Sequence, residues 1–312
     1  MNAEAPIQKP AANDAAADAA AARRGFFFAL SAYIFWGVQP LFMKLVAHIP
    51  AAEVVAHRVL WSLPIAGIVL LILGRTADVK AALRSPRTLV MAALTASIIT
   101  VNWGIYVWAI AVDRAVETAL GYYINPLVSV MLGAVLLGEK LKPLQIVAVG
   151  LAALAVVLLT VEAGGLPWVS LALALSFAAY GFLRKTLPIG PSQGFFLEVL
   201  ILALPALAYV LWLQANGAGH FSAALPGDLT LLLLCGPVTA TPLLLYAFGA
   251  KLLRLSTIGI MQYIGPTLIL LMAVFVFGEP FGGVRAVAFM LIWAALVLYT
   301  WSMFANRGGA QA

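Results

Sequence analysis

Long apolar stretches separated by short polar turns run through most of the chain. They cover residues 26–47, 53–73, 88–110, 115–137, 144–161, 167–184, 192–213, 228–249, 256–277 and 283–304. None alternates apolar and polar positions in segments of about ten residues, as a membrane β-barrel strand does. Their length is near the roughly 20 residues that carry an α-helix across a bilayer. Proline and glycine mark the gaps: Pro50, Pro86, Gly138 with Pro143, Gly164-Gly165, Pro188 with Pro191, Gly217, and Gly278 with Pro280. The pattern predicts an all-α membrane protein with ten transmembrane helices, and no gap is long enough for a soluble domain. Residues 1–24, with eleven alanines and almost no large apolar side chain, are expected to form a disordered cytoplasmic tail, and 305–312 a second short one.

Composition strengthens this reading. Of 312 residues, 64% are hydrophobic and 10% charged, against about 45–50% and 25% in a soluble domain. The net charge of +6 is not read as a nucleic-acid footprint, because its distribution follows the apolar stretches. With the N-terminus inside, fourteen basic residues fall in cytoplasmic segments: Lys9, Arg23, Arg24, Arg75, Lys80, Arg84, Arg87, Lys140, Lys142, Arg184, Lys185, Lys251, Arg254 and Arg307. Only Arg114 and Arg285 fall in outer loops, and Lys44 and Arg58 lie within spans. Positive residues stay on the cytoplasmic side, so both termini are expected there, in a cell inner membrane. A single cysteine, Cys235, and three scattered histidines, His48, His57 and His220, give no disulfide and no metal cluster. No cofactor is expected.

The chain also repeats itself. Gly121-Tyr122-Tyr123-Ile124-Asn125-Pro126 returns 140 residues later as Met261-Gln262-Tyr263-Ile264-Gly265-Pro266, and Gly138-Glu139 returns as Gly278-Glu279. Tyr106 pairs with Tyr246, Arg114 with Arg254 and Thr160 with Thr300 at the same offset. Two five-helix halves are implied, 25–161 and 162–304. Five is odd, so the second half enters the membrane from the opposite face. Such inverted repeats are the architecture of many secondary transporters.

Together these segments resemble the EamA family of the drug/metabolite transporter superfamily, in its RarD-type branch. The carrying residues are Pro40 to Lys44, Ala56-His57-Arg58-Val59-Leu60-Trp61-Ser62, Asn102-Trp103 with Tyr106-Val107-Trp108, Gly121 to Pro126, and Gln262 to Thr267 leading to Gly278-Glu279-Pro280. The resemblance implies ten helices and solute permease activity, with a small-molecule solute and the lipid bilayer as partners. It implies no defined substrate.

Polar side chains within a bilayer are costly and usually face a cavity or a partner. Thr95, Asn102, Tyr106 and Asp113 fall within about 40° of one another at 100° per residue. Thr118, Tyr122, Asn125 and Ser129 form a similar stripe, as do Ser256, Gly259, Tyr263 and Thr267. The expected substrate pathway comprises Asn102, Trp103, Tyr106, Tyr122, Tyr123, Asn125, Tyr246, Gln262 and Tyr263, although the same residues suit helix–helix packing. Pro126 and Pro266 are expected hinges, or static kinks, that free a carbonyl. His57, Arg58, Glu117 and Glu198 are the expected coupling or charge-pair residues. Arg58 either pairs with Glu117, snorkels to the interface, or meets an anionic group on a substrate. The alternative function is a membrane-embedded sensor or channel. No nucleophile elbow, phosphate loop or metal motif points to an enzyme.

Overall fold

The computed structural model describes residues 12–138, 140–253 and 255–304, and these are helix and turn without a strand. The helices are α1 (Ala12–Leu45), α2 (Ala51–Ile72), α3 (Thr76–Leu83), α4 (Pro86–Ala111), α5 (Ala115–Leu137) and α6 (Pro143–Ala163). They are followed by α7 (Trp168–Thr186), α8 (Pro191–Ala215), α9 (Pro226–Leu252), α10 (Leu255–Met261), α11 (Ile264–Leu271) and α12 (Val284–Phe304). Among the described residues, nine helical stretches are long and apolar enough to cross a membrane, and Trp168–Arg184 of α7 is a shorter apolar helix. Ile72, Val135, Val161, Leu204 and Phe275 are each more than three-quarters exposed. Such a surface needs lipid rather than water around it, and the protein is a multi-pass membrane protein.

Local chemistry explains the boundaries. Pro86, Pro143, Pro191 and Pro226 stand in the first turns of α4, α6, α8 and α9, where the missing N–H costs nothing. The Ser85 side chain accepts the Thr88 N–H at 3.3 Å and caps α4. The Gln145 side chain accepts the Lys142 N–H at 2.9 Å at the start of α6. Gly138 and Gly278 end their helical segments at φ 67° and 70°, a left-handed conformation that favours glycine.

Three differences from the sequence reading stand out. Helix α1 begins at Ala12, so residues 12–24 are helical where a disordered tail is expected; alanine is the strongest helix former. Residues 1–11 and 305–312 of the expected tails lie outside the described residues, as does Glu139. A short helix, α3, occupies the gap after the second apolar stretch. The stretch 256–277 is not one helix but α10, a turn at Gln262-Tyr263, α11, and a π-helical turn at Met272–Val276. Pro266 explains the turn, because its ring crowds the carbonyl four residues earlier, which belongs to Gln262. Pro126, its counterpart in the repeat, lies inside an unbroken α5.

The helices pack in a defined set of pairs: α1 against α9 and α11, α5 against α7 and α11, α2 against α8 and α9, α4 against α7 and α8, and α6 against α12. Small residues permit the closest crossings. A Cβ on Gly236 of α9 would sit 2.4 Å from the Trp61 carbonyl carbon and oxygen on α2. One on Gly121 of α5 would sit 2.8 Å from the Ser170 carbonyl on α7.

Candidate functional site

Helix α2 carries the least expected feature, a buried arginine. The Arg58 side chain is buried, with 4% of the residue exposed. Its Nε donates to Thr239 Oγ1 on α9 at 3.0 Å. Thr239 in turn donates to the Cys235 carbonyl at 2.7 Å, which leaves an oxygen lone pair for the guanidinium. The guanidinium lies over the Trp103 ring of α4, 4.7 Å from its centroid, in cation–π contact. Arg58 Nη1 has no hydrogen-bond partner.

The expected Arg58–Glu117 pair does not form. Glu117 accepts Arg114 Nε at 2.6 Å and Nη2 at 2.8 Å, because Arg114 lies one turn before it at the start of α5. Burial on α2 and the Trp103 contact hold the Arg58 side chain within the protein. Among the described residues no carboxylate forms an ion pair with it.

Further buried groups lie on α2 beside Arg58 in sequence and on α4, where Tyr106 is within electrostatic reach of it. Tyr106 is 4% exposed and its hydroxyl has no partner. The Tyr106 and Tyr122 rings lie 6.1 Å apart. Ser62, one turn beyond Arg58, is fully buried with an unpartnered Oγ. His57 Nδ1 receives the Trp61 Nε1 hydrogen at 3.0 Å. Indole N–H only donates, so Nδ1 is the acceptor and neutral His57 carries its proton on Nε2. That Nε2 is buried and unpartnered as well.

The asparagines make contacts between helices. Asn102 Nδ2 donates to the Leu173 carbonyl at 3.1 Å and to Ser176 Oγ at 2.9 Å, and Tyr122 donates to its Oδ1 at 3.4 Å. Asn125 Nδ2 donates to the Ala174 carbonyl at 3.1 Å. Both bind α4 and α5 to α7, the packing side of the sequence reading. Tyr123 and Thr267 share a hydroxyl hydrogen bond of 2.5 Å between α5 and α11. Tyr246 belongs to a separate aromatic group, 6.0 Å from Tyr33 and 5.6 Å from Trp36. Gln262 and Tyr263 lie at the turn between α10 and α11, half-buried.

Glu198 of α8 is buried too. Its Oε2 accepts Tyr180 Oη at 3.1 Å, and Oε1 lies 3.4 Å from Arg184 Nε. Its neighbour Leu197 packs with Leu70 near the end of α2, whereas Arg58 lies near the start of that helix.

Sequence reasoning did not anticipate a cluster at the end of the bundle opposite α3. His48 bonds Asp228 at 2.9 Å, and His220 bonds the fully buried Glu53 at 2.8 Å through its ring and at 2.8 Å through its N–H. The His48 and His220 rings are 6.3 Å apart, so histidines distant in sequence gather in space. Among the described residues no group of three ligands is placed to hold a metal. Glu279 also works here, accepting the Ala115 N–H at 2.6 Å and the Val116 N–H at 2.8 Å. Lys44 pairs with Asp113 at 2.5 Å beside it.

Comparison with known proteins agrees with this architecture. Residues 23–161 match the EamA-like transporter family. A Streptomyces exfoliatus protein named Protein RarD is 44% identical over 93% of this chain and 92% of its own length. A Vibrio cholerae protein named as an uncharacterized transporter is 40% identical over 89% of this chain and 92% of its own. A solved crystal structure with 20% sequence identity covers 90% of this chain and 96% of its own, at a TM-score of 0.56, and shares the fold.

Proposed function

The chain belongs to the EamA-like transporter family, and from that premise we propose that it is a secondary transporter moving a small organic solute by alternating access. Its ten spans form two inverted five-helix halves in an inner membrane, with both termini cytoplasmic and α7 as the sixth, shorter span. One observation carries this reading. Exchange the halves, so that α1, α2, α4, α5 and α6 take the places of α7, α8, α9, α11 and α12. The α1–α9 contact then becomes α7–α4, α5–α7 becomes α11–α1, and α2–α9 becomes α8–α4, while α6–α12, α2–α8 and α5–α11 map onto themselves. Every one of these contacts is present. A pseudo-two-fold in the packing supports two halves that can trade conformations.

The Pro266 turn is the hinge of the second half, and Pro126 a kink tolerated within α5. Energy coupling falls to Glu198, a buried carboxylate whose proton would respond to the open face. Purified protein in liposomes should carry labelled solute in a saturable manner, and empty liposomes should not. Pro266→Ala should slow that flux several-fold while leaving the thermal unfolding midpoint unchanged or higher. An imposed pH gradient should drive uptake, and Glu198→Gln should keep exchange but lose the gradient's effect. Saturable flux absent for every solute class offered would overturn the transport reading; flux indifferent to the pH gradient would overturn proton coupling alone.

A further inference from the structure

The five buried polar atoms without a partner on α1, α2 and α4 share one property. They are Gln39 Nε2, His57 Nε2, Arg58 Nη1, Ser62 Oγ and Tyr106 Oη. Two of them, the amide and guanidinium nitrogens, only donate hydrogens. The imidazole nitrogen donates in the tautomer that Trp61 imposes, and the two hydroxyls can donate. No carboxylate is among them. Among the described residues, the remaining buried side-chain atom without a hydrogen bond is Glu198 Oε1 on α8, which lies within ion-pair distance of Arg184.

A buried guanidinium is expensive to keep without a counter-charge. Natural interiors pair such groups or give them hydrogen-bond acceptors. Among the described residues the one acceptor on Arg58 is a threonine hydroxyl. The Trp103 face holds the guanidinium in place from one side; Tyr106 and Tyr122 lie within electrostatic reach of it, their rings 6.1 Å apart. The arrangement is a fixed positive group with unmet donors between aromatic walls. Planar guanidinium groups match carboxylates in a bidentate fork.

Resting on the transport reading above, we propose that Arg58 anchors the substrate site, and that the substrate class is an organic anion: a carboxylate carried on an aromatic or apolar body. The carboxylate accepts from Arg58 Nη1 and from the Tyr106 hydroxyl. The body lies against Trp103 and Tyr122. Tyr106 and Trp103 then specify the solute, and the asparagines keep the helices in register.

The test uses the full-length protein in detergent and in liposomes. Benzoate, phenylacetate and indole-3-acetate are offered beside their own carboxamides, which keep the shape and lose the charge. Binding is read as thermal stabilisation and flux as uptake of the labelled compounds. Acids should bind about tenfold or more tightly than amides, the difference a charge-assisted contact makes. Arg58→Gln should lose that preference, Arg58→Lys should keep part of it, and Tyr106→Phe should weaken acids more than amides, whose carbonyl accepts a weaker, uncharged hydrogen bond. Gel filtration of each variant checks its fold, and Arg58→Lys carries the test if Arg58→Gln does not fold. Amides bound as well as acids, or acids bound unchanged by Arg58→Lys and Tyr106→Phe, would overturn the anion site. Saturable flux of neutral solutes alone would overturn it too while leaving the transporter intact. If neither acids nor amides bind or cross, the anion site fails, and if no other solute class crosses either, the transport reading fails with it.

Discussion

Glu279 shows how one residue can be conspicuous in a sequence and still be misplaced by it. Gly278-Glu279 reads as a helix end followed by the first turn of the next helix, and the glycine does end its segment in the left-handed region. The carboxylate, however, reaches across to a different helix and takes the first two N–H groups of α5. Unpaired N–H groups at a helix start attract anions, and α5 lacks a side-chain cap of its own. Glu279→Ala should therefore cost about 0.5–2 kcal/mol of stability, read as a lower unfolding midpoint. The pH dependence has a definite sign. Burial, the largest influence, raises the Glu279 carboxyl above its ordinary value; Asp113 adds to this, while the two N–H donors and Lys44 oppose it. A raised carboxyl binds its proton more readily in the folded protein, so its contribution to stability falls as pH rises from the ordinary carboxylate value through the raised one. Glu279→Gln should flatten that slope. An unfolding midpoint whose pH profile is the same in wild type and Glu279→Gln would rule the assignment out.

At the scale of helices, most apolar stretches of the sequence fall on helices because a bilayer demands long uninterrupted runs, but 256–277 is broken into α10 and α11 and α7 is shorter than the others. What could not be read was which helix touches which. The Asn102 and Tyr106 stripe is visible from spacing, but the same 100° rotation suits an open passage and a neighbouring helix. Only the structure shows that Asn102 meets the α7 backbone while Tyr106 Oη meets nothing. Pro126 and Pro266 look identical in the repeat, yet only the second accompanies a broken helix. The missing partner of Arg58 was equally hidden, because Arg114, three residues before Glu117, wins that carboxylate. Close crossings have a sharper test. Gly236→Ala would drive a Cβ into the Trp61 backbone and should cost about 1–3 kcal/mol by overpacking. Gly104→Ala on α4, where a Cβ meets nothing within 4 Å, should change stability little. Equal unfolding midpoints for the two variants would contradict the α2–α9 packing.

For the whole molecule, the two ends differ in chemistry. The end with α3 carries Arg75, Lys80, Arg84, Lys140 and Lys142 beside Asp78, whereas the other end mixes Glu53, Asp113, Glu117, Asp228 and Glu279 with Lys44, Arg114 and Arg285. Links across the chain hold each end together: Gln193 bonds Asp78 at 2.9 Å at the first, and His220 bonds Glu53 at the second. On the proposed topology this charge bias would place the α3 end in the cytoplasm. Lys142 and Gly282 occupy equivalent places in the repeat, so inversion puts the α5–α6 and α11–α12 turns on opposite faces of the membrane. Single cysteines decide this directly. The background is Cys235→Ser, and the sites are Lys140 and Ala81 for one face, Gly282, Gly165 and Ala218 for the other; Gly165 and Ala218 are chosen because their neighbours Gly164 and Gly217 are held at positive φ. A membrane-impermeant maleimide added to intact cells should label Gly282→Cys, Gly165→Cys and Ala218→Cys, and should label Lys140→Cys and Ala81→Cys only after permeabilisation. Labelling of Lys140→Cys and Gly282→Cys from the same side would contradict the inverted repeat on which the account rests.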